Sequence, residues 1–157
     1  MPAPPAHSRV LADLGRALSL ELSAVQHYLT LAVLLDAWGD STSADRFRRE
    51  TVEEMQHAER LVKRMVSLGV APGASALQPA RHASDLAGLL RLSLALEDEL
   101  IAHYGEAVAL CQRLGDTDNQ AFFQELWLEE QQHGDALDTW LSNLESAPGR
   151  SLAGVAV

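Results

Sequence analysis

Hydrophobic residues recur at intervals of three and four positions along four long stretches of the chain. The first stretch shows the pattern clearly, since this spacing places its apolar residues on one face of a helix. These residues are Val10, Leu14, Leu18, Val25, Leu29, Ala32 and Val33. Runs that alternate apolar and polar residues, which indicate half-buried strands, are not found. The pattern therefore predicts an all-α protein.

Residues that begin or end helices divide the pattern into four segments. Ser8 and Ser84 are favourable N-terminal caps, because a serine side chain can accept a hydrogen bond from the first turn. Glycine is common just after a helix, and Pro148 cannot continue one. The predicted helices span about residues 8–38, 44–68, 84–114 and 116–145, and their stop signals are Gly39, Gly69, Gly115 and the Pro148-Gly149 pair.

The connections predict how these helices are arranged. Short turns at Gly39 and Gly115 make the first and second helices antiparallel, and likewise the third and fourth. Residues 70–84 contain two prolines and a glycine and show no periodicity, so they are expected to form a long crossover. The prediction is one domain over residues 1–157, a four-helix bundle with up-down-down-up topology. Its core spans about 8–145, and a fifth helix in the tail at 146–157 is short or absent.

Polar residues repeat between the two predicted hairpins. The pattern of residues 21–57 recurs at residues 97–133, a shift of 76 positions without a gap. Each copy holds a lone glutamate, a His-Tyr pair and a Glu-Glu-x-x-His group. They are Glu21, His27-Tyr28, Glu53-Glu54 and His57 in the first copy, and Glu97, His103-Tyr104, Glu129-Glu130 and His133 in the second. Two hairpins related by a pseudo-twofold axis are therefore expected.

The repeated residues predict a site for two metal ions. Residues three positions apart on a helix can reach one point, so Glu54 and His57 can bind one ion together. Glu130 and His133 can bind a second ion in the same way, and the lone glutamates come from the other two helices. Any one of these groups alone would more often lie on a solvated surface. The full set favours a buried site, because buried carboxylates are costly unless they are paired or bind metal. The predicted ligands are Glu21, Glu54, His57, Glu97, Glu130 and His133.

The His-Tyr pairs are expected to have two different surroundings. Tyr28 follows Glu21 by seven residues, so it projects from the same face of the helix. We expect its hydroxyl to reach Glu97 of the other half, and Tyr104 to reach Glu21 in return. His27 and His103 point about 120° away from the lone glutamates. They are predicted at the bundle surface or an interface and not as ligands.

Charge and cysteine content narrow the function classes. The chain has 157 residues and a formal net charge of −10 at pH 7. This charge disfavours nucleic acid binding and suits a protein that attracts cations. Cys111 is the only cysteine, so no disulfide can form within the chain, and we expect a small buried or interface residue. We recognise no signal peptide or membrane span, so a cytoplasmic location is expected.

Four segments of the chain resemble bacterioferritins, and the resemblance covers about residues 8–145. These segments read LELSAVQHY, EEMQHAERLVKRMVSLG, LALEDEL and EEQQHGDALDTWL. The resemblance implies that the six predicted ligands form a di-iron ferroxidase centre, which oxidises Fe²⁺ to Fe³⁺. It also implies that Glu54 and Glu130 bridge both irons and that Tyr28 is the tyrosine beside the centre. The same ligand set occurs in ferritin-like di-iron bundles generally.

The resemblance gives two further residues a role. Met55 corresponds to the methionine that ligates haem across a twofold dimer interface, which implies haem b or a related iron porphyrin shared by two chains. Met55 also lies about 100° from Glu54 around the helix, turned away from the metal-bearing core. An ordinary interface or core methionine would suit that position too. Asp135 corresponds to an aspartate associated with an iron-entry pore.

The chain departs from the family in its tail and near the centre. Pro148-Gly149 and the small residues after them stand where bacterioferritins usually carry a fifth helix. A cage of twenty-four subunits, a shell of twelve and a dimer therefore all stay open. Leu61 and Ala136 stand where the family can carry aromatic residues, and Arg49 where a member can carry an iron-binding histidine. Iron handling at the inner surface is expected to differ accordingly.

The resulting hypothesis is iron storage and detoxification by a ferroxidase within an oligomeric shell. Its expected partners are iron ions, oxygen or peroxide, and further copies of the chain in twofold dimers. One alternative is another di-metal oxidoreductase, such as a peroxidase or a di-manganese catalase. A single cysteine weakens a rubrerythrin-like version, which needs a four-cysteine iron site. The other alternative is a haem-bearing structural subunit of a mixed shell, and the intact ligand set argues against it.

Overall fold

Four long helices make up almost all of the computed structural model, which describes residues 5–147. The helices are α1 (Ser8–Ala37), α2 (Ser41–Ser67), α3 (Leu86–Leu114) and α4 (Thr117–Ser146). No strand occurs within the described residues. The all-α prediction and the four helical segments are therefore confirmed, although α2 begins at Ser41, inside the predicted turn, because Asp40 caps it by accepting from the backbone N–H of Ser43. The predicted fifth-helix region at 148–157 lies outside the described residues.

Two predicted caps are wrong by one residue. His7, not Ser8, caps α1, and its Nδ1 accepts a hydrogen bond from the backbone N–H of Arg9. Asp85, not Ser84, caps α3, and its carboxylate accepts from the backbone N–H of Gly88 at 2.8 Å. Serine, aspartate and histidine side chains all carry an atom that can accept a hydrogen bond from the first turn. The residue that directly precedes the first helical residue therefore acts as the cap. The glycine stops are confirmed, since Gly39, Gly69 and Gly115 have φ of 82°, 79° and 68°.

The helices pack in the predicted order. Helix α1 packs along α2, α3 packs along α4, and the lone-glutamate helices α1 and α3 also face each other. The crossover after α2 runs beside α1, where two serines one turn apart hold its backbone. The backbone N–H of Ala76 donates to Oγ of Ser19 at 3.1 Å, and that of Gln78 donates to Oγ of Ser23 at 2.9 Å. These bonds fix the segment that carries the chain along the bundle from the end of α2 to the start of α3, so that both helices run in the same direction.

The core is rich in leucine and alanine, and its largest side chains follow the repeat. Tyr28, Tyr104, Phe47 and Phe123 are all fully buried. Cys111 is buried as well, as expected. The predicted stripe of α1 is wrong at its edge, because Leu29 and Val33 are 50% and 61% exposed.

Helix α1 also has the length and composition of a membrane-spanning helix, with a mean hydropathy of 1.4 over its most apolar window. No membrane span is predicted from the sequence. Of this window, 56% is buried against the rest of the bundle. Its apolar face therefore serves the core, because a helix must bury that face against its neighbours.

Candidate metal centre

Six side chains from all four helices meet in the middle of the bundle. Helices α1 and α3 each supply a lone glutamate, while α2 and α4 each supply a glutamate and the histidine one turn later. All four glutamates have no exposed surface. The side chains form two groups, whose ligand atoms lie within 4.8 Å of one another: Glu21, Glu54, His57 and Glu130 in one, and Glu54, Glu97, Glu130 and His133 in the other. Glu54 and Glu130 belong to both groups and lie between the two positions.

The central atoms approach each other closely without hydrogen bonding. Nδ1 of His57 is 2.6 Å from Oε1 of Glu130 and 3.3 Å from Oε2 of Glu54. Nδ1 of His133 is 2.9 Å from Oε1 of Glu54 and 3.4 Å from Oε2 of Glu130. None of these atoms has an aligned hydrogen-bond partner among residues 5–147. Nitrogen and oxygen atoms that converge without hydrogen bonds are expected around bound cations, because buried polar groups in native proteins otherwise have hydrogen-bond partners.

The four carboxylates are equally buried, but their pKa values shift in two different directions. Burial raises the pKa of Glu21 well above its usual value, and the charge of Glu130 adds to the effect. Burial raises the pKa of Glu97 in the same way, with further contributions from Glu54 and Glu130. Burial also acts to raise the pKa of Glu54 and Glu130, but the two histidines outweigh it and lower both. Without a cation, these shifts favour protons on the lone glutamates and negative charge on the shared ones.

The same carboxylates keep both histidines charged when no cation is present. Burial alone would lower the pKa of His57, but Glu130, Glu21 and Glu54 raise it well above its usual value. Burial likewise opposes protonation of His133, while Glu130 and Glu54 raise its pKa to about 12. A metal ion binds the neutral imidazole, so it must displace these protons.

Both tyrosines bond across the pseudo-twofold axis, as expected. The hydroxyl of Tyr104 donates to Oε1 of Glu21 at 2.5 Å, and that of Tyr28 donates to Oε1 of Glu97. Each bond occupies one oxygen of a lone glutamate, and the other oxygen remains buried without a hydrogen-bond partner within residues 5–147. Each tyrosine thus orients the carboxylate of a lone glutamate, and the Oε1 of Glu21 that Tyr104 bonds is also 3.6 Å from Nδ1 of His57.

The first glutamate of each Glu-Glu pair contacts the far side of a histidine. Oε2 of Glu129 is 2.8 Å from Nε2 of His57, and Oε2 of Glu53 contacts Nε2 of His133. Carboxylates in this position fix the ring so that its other nitrogen faces the metal. The sequence reading assigned no role to Glu53 or Glu129. Their presence in both copies of the repeat was the signal that could have found them.

The surroundings of the two histidines differ beyond that contact. Beside His133, the mostly buried Glu50 joins Glu53 in a third acidic group whose ligand atoms lie within 4.8 Å of one another. Burial raises the pKa of Glu50, although His133 acts to lower it. The residue that the repeat aligns with Glu50 is Leu126, and within residues 5–147 no corresponding acidic group lies beside His57. The centre is therefore only approximately symmetric.

His27 and His103 are not at the surface, contrary to the prediction. Both are 6% exposed. Nε2 of His27 lies 2.9 Å from Oγ of Ser93, which itself donates to a backbone carbonyl, so the imidazole is the donor in this contact. Nε2 of His103 donates to the carbonyl oxygen of Asp13 at 2.9 Å. These partners on the neighbouring helix satisfy the rings inside the bundle, and burial lowers the pKa of His27 to about 4. Neither histidine belongs to the metal-binding groups.

Met55 and Asp135 both lie away from the centre. Met55 is 49% exposed on α2, and Leu29 of α1 and Val52 of α2 are exposed apolar residues as well. Asp135 is exposed beside a groove between α3 and α4, which Asp98 and Asp138 also line. The outward position of Met55 agrees with the sequence prediction.

A family model, related sequences and a solved structure all indicate the same family. The family model of the ferritin-like domain matches residues 11–147. Bacterioferritin of Brucella melitensis is 35% identical over 87% of this chain and 84% of its own, and that of Rhodobacter capsulatus is 32% identical over 86% and 84%. A solved structure of Rhodobacter capsulatus bacterioferritin, described with a metal-free dinuclear site and haem iron, has a TM-score of 0.89 at 29% identity, covering 98% of both chains. The chain belongs to the bacterioferritin family of ferritin-like proteins.

Proposed function

We propose that this protein stores iron and that each bundle is a ferroxidase, which oxidises two Fe²⁺ ions at the centre between the helices. One observation carries the proposal: two groups of buried ligands share Glu54 and Glu130, and these carboxylates have no aligned hydrogen-bond partner within residues 5–147. Two cations at such positions would be joined by common ligands. The family relationship supports iron as the metal, because the relatives above are bacterioferritins.

The ligand set suits both the substrate and the product of this reaction. Four carboxylates balance the four positive charges of two Fe²⁺ ions, and hard oxygen ligands favour Fe³⁺ after oxidation. Each Fe²⁺ gives up one electron. Oxygen takes two electrons and two protons to become hydrogen peroxide, or hydrogen peroxide takes them to become two water molecules. The protons that a cation displaces from the histidines and the lone glutamates are released at this same site.

The shared and lone glutamates have separate roles in this proposal. Glu54 and Glu130 would each bind both ions. They would thereby fix the distance between the two irons, so that both can pass an electron to the same oxidant. Glu21 and Glu97 each complete one position, and their hydrogen bonds to Tyr104 and Tyr28 keep one oxygen aimed at the ion. In this proposal Tyr28 is hydrogen-bonded to Glu97, which is itself a ligand of the reacting iron. The oxidised iron then passes to a mineral core or exchanges out.

A haem shared by two chains is the second part of the proposal. Met55 suits a porphyrin ligand, since its side chain is half-exposed and both α1 and α2 carry other exposed apolar side chains. Leu22, Val25 and Leu29 of α1 would supply apolar contacts. A twofold axis beside Met55 would bring two thioethers to one haem iron, which gives one haem for two chains. When bound, haem supplies a group that exchanges single electrons.

We further propose that the chain assembles as a homo-oligomer built from such twofold dimers, with a cytoplasmic location. Exposed apolar residues on α1 and α2, including Val33 and Val52, support a dimer face there, because monomers seldom leave large apolar patches uncovered.

Iron oxidation by the purified, metal-free protein tests the proposed function. Fe²⁺ is added anaerobically, oxygen or hydrogen peroxide is then mixed in, and ferric absorbance is followed in a stopped-flow instrument. The expected result is a rapid phase that saturates at two Fe²⁺ per chain and disappears when Zn²⁺ fills the centre first. A rate equal to that of iron in buffer would contradict the proposal.

A further inference from the structure

Arg60 breaks the pseudo-twofold symmetry just outside the metal centre. Its Nη1 lies 2.9 Å and 2.8 Å from the two carboxylate oxygens of Glu129, and its Nη2 lies 3.3 Å from Oε2 of Glu125. Glu129 in turn is 2.8 Å from Nε2 of His57. The chain of contacts from Arg60 through Glu129 therefore ends on the histidine whose Nδ1 faces the centre.

The other half lacks this support. The shift of 76 residues aligns Arg60 with Ala136 and Glu125 with Arg49. Glu53, the counterpart of Glu129, contacts Nε2 of His133 but has no arginine or lysine within 4.0 Å among the described residues. Its side chain is 50% exposed. The carboxylate that contacts His133 is therefore half-exposed, with Glu50 3.7 Å from the same nitrogen, whereas the carboxylate that contacts His57 is itself held by Arg60.

We propose that Arg60 is a positioning residue that makes the position of His57 the tighter of the two metal positions. A ring already fixed in the binding orientation loses less freedom when the ion arrives. Outer contacts of this kind typically change metal affinity by about ten- to hundredfold. The two ions of the proposed ferroxidase reaction would then bind in order, first beside His57 and then beside His133.

The charge of Arg60 acts in the opposite direction. A guanidinium repels a cation and reduces the negative charge that Glu129 offers. Arg60 and Glu129 are 32% and 42% exposed, so water and salt screen that repulsion, while the geometric restraint is unaffected by screening. We therefore expect positioning to outweigh repulsion, and the measurement below distinguishes the two by sign.

Co²⁺ binding to variants with one histidine tests the proposal, because a single bound ion removes repulsion between two ions. His133→Ala leaves the position of His57, and His57→Ala leaves the position of His133. Affinity is measured from the Co²⁺ absorption bands, which report the ligands directly. We expect His133→Ala to bind Co²⁺ more tightly than His57→Ala. Adding Arg60→Gln should weaken binding about ten- to hundredfold in the first variant and leave the second unchanged.

Introducing the same arginine and acidic neighbour into the half around His133 supplies the reciprocal test. Ala136 is exposed, so Ala136→Arg can be accommodated, and Arg49→Glu supplies the acidic neighbour that Arg60 has in Glu125. The double change should tighten Co²⁺ binding in the His57→Ala variant. Circular dichroism confirms that each variant is folded.

Three results would overturn the proposal: equal affinity in the two single-histidine variants, an equal loss from Arg60→Gln in both, or tighter binding after Arg60→Gln. Failure of the proposed function gives a different result. A wild-type protein that binds two Co²⁺ ions unequally but does not oxidise Fe²⁺ would contradict the ferroxidase and leave the role of Arg60 intact. A wild-type protein that binds no Co²⁺ would overturn both.

Discussion

The hydroxyl of Tyr104 on α3 lies 2.5 Å from Oε1 of Glu21 on α1, so each half of the bundle orients a metal-facing carboxylate of the other half. Tyr28 makes the reciprocal bond to Glu97. Both tyrosines and both glutamates are fully buried. The two hairpins are therefore joined at the centre by hydrogen bonds as well as by packing.

Removal of either hydroxyl should destabilise the protein by a similar amount. Tyr104→Phe and Tyr28→Phe each leave one buried carboxylate oxygen without its donor, which costs about 1–3 kcal/mol. Chemical denaturation of the metal-free protein measures this loss. Leu100→Ile, a core change of the same volume on α3, serves as a packing control, since such swaps usually cost less than about 1.5 kcal/mol. Unchanged stability in both phenylalanine variants would show that the bonds do not hold the hairpins together.

Stability of the metal-free protein should fall as the pH rises. The folded pKa of His57 and of His133 lies above 6.5, so their contribution is fully present below that pH and is lost as pH rises through the folded value. Glu21 and Glu97 act in the same direction, because their folded pKa lies above 4.5 and their protons must leave buried groups. Glu54 and Glu130 act oppositely, with lowered pKa values whose benefit is lost only as the solution becomes acidic.

Melting temperatures measured from about pH 6.5 to about pH 9 test this prediction, since histidines of the unfolded chain lose their protons there while His57 and His133, whose folded pKa is raised, still hold theirs. We expect a steady decrease for the metal-free protein. The Zn²⁺-loaded protein should decrease less, because its ligands have already lost their protons. Parallel curves for the two forms would contradict these protonation states.

Metal loading itself should stabilise the fold. Binding to the folded state alone adds about 2.7 kcal/mol when free metal is one hundred times its dissociation constant. Thermal melting with and without Zn²⁺ measures the effect, and Glu130→Ala should abolish most of it. Equal melting temperatures with and without metal would exclude a buried carboxylate site.

Haem binding should depend on Met55 and be separable from iron oxidation. Protein produced with ample haem should show a Soret band with one haem for two chains. Met55→Leu should lose the band while rapid iron oxidation continues, because Met55 is outside both metal-binding groups. Val66→Leu, an exposed apolar change elsewhere on α2, should keep the band. Absence of a Soret band in wild-type protein would leave Met55 as an ordinary dimer contact.

The sequence predicted those parts of the site that depend on spacing along one helix. Glu54 and His57 are one turn apart, and the 76-residue repeat supplied the second copy, so the ligand set followed without tertiary information. Contacts that depend on the register between helices were missed. Arg60 meets Glu129 because of how α2 lies against α4, and no local pattern marks that pair.

Burial of His27 and His103 was missed for a related reason. Each ring is accommodated by one polar atom on a neighbouring helix, the hydroxyl of Ser93 or the carbonyl of Asp13. Helical spacing showed that these rings turn away from the lone glutamates. It could not show that a hydrogen-bonding atom of the neighbouring helix lies on the side to which they turn.

Fe²⁺ oxidation in Glu54→Ala and Glu130→Ala tests the central claim most directly, with Glu59→Ala as the matched control. Glu54 and Glu130 contribute to both metal-binding groups, whereas Glu59 lies on the exposed side of α2 and pairs with Lys63. In the stopped-flow instrument, either bridging variant should lose the rapid ferric phase while keeping its helical circular dichroism, and Glu59→Ala should oxidise iron as the wild type does. Unchanged oxidation in Glu54→Ala or Glu130→Ala would contradict a di-iron ferroxidase at this site.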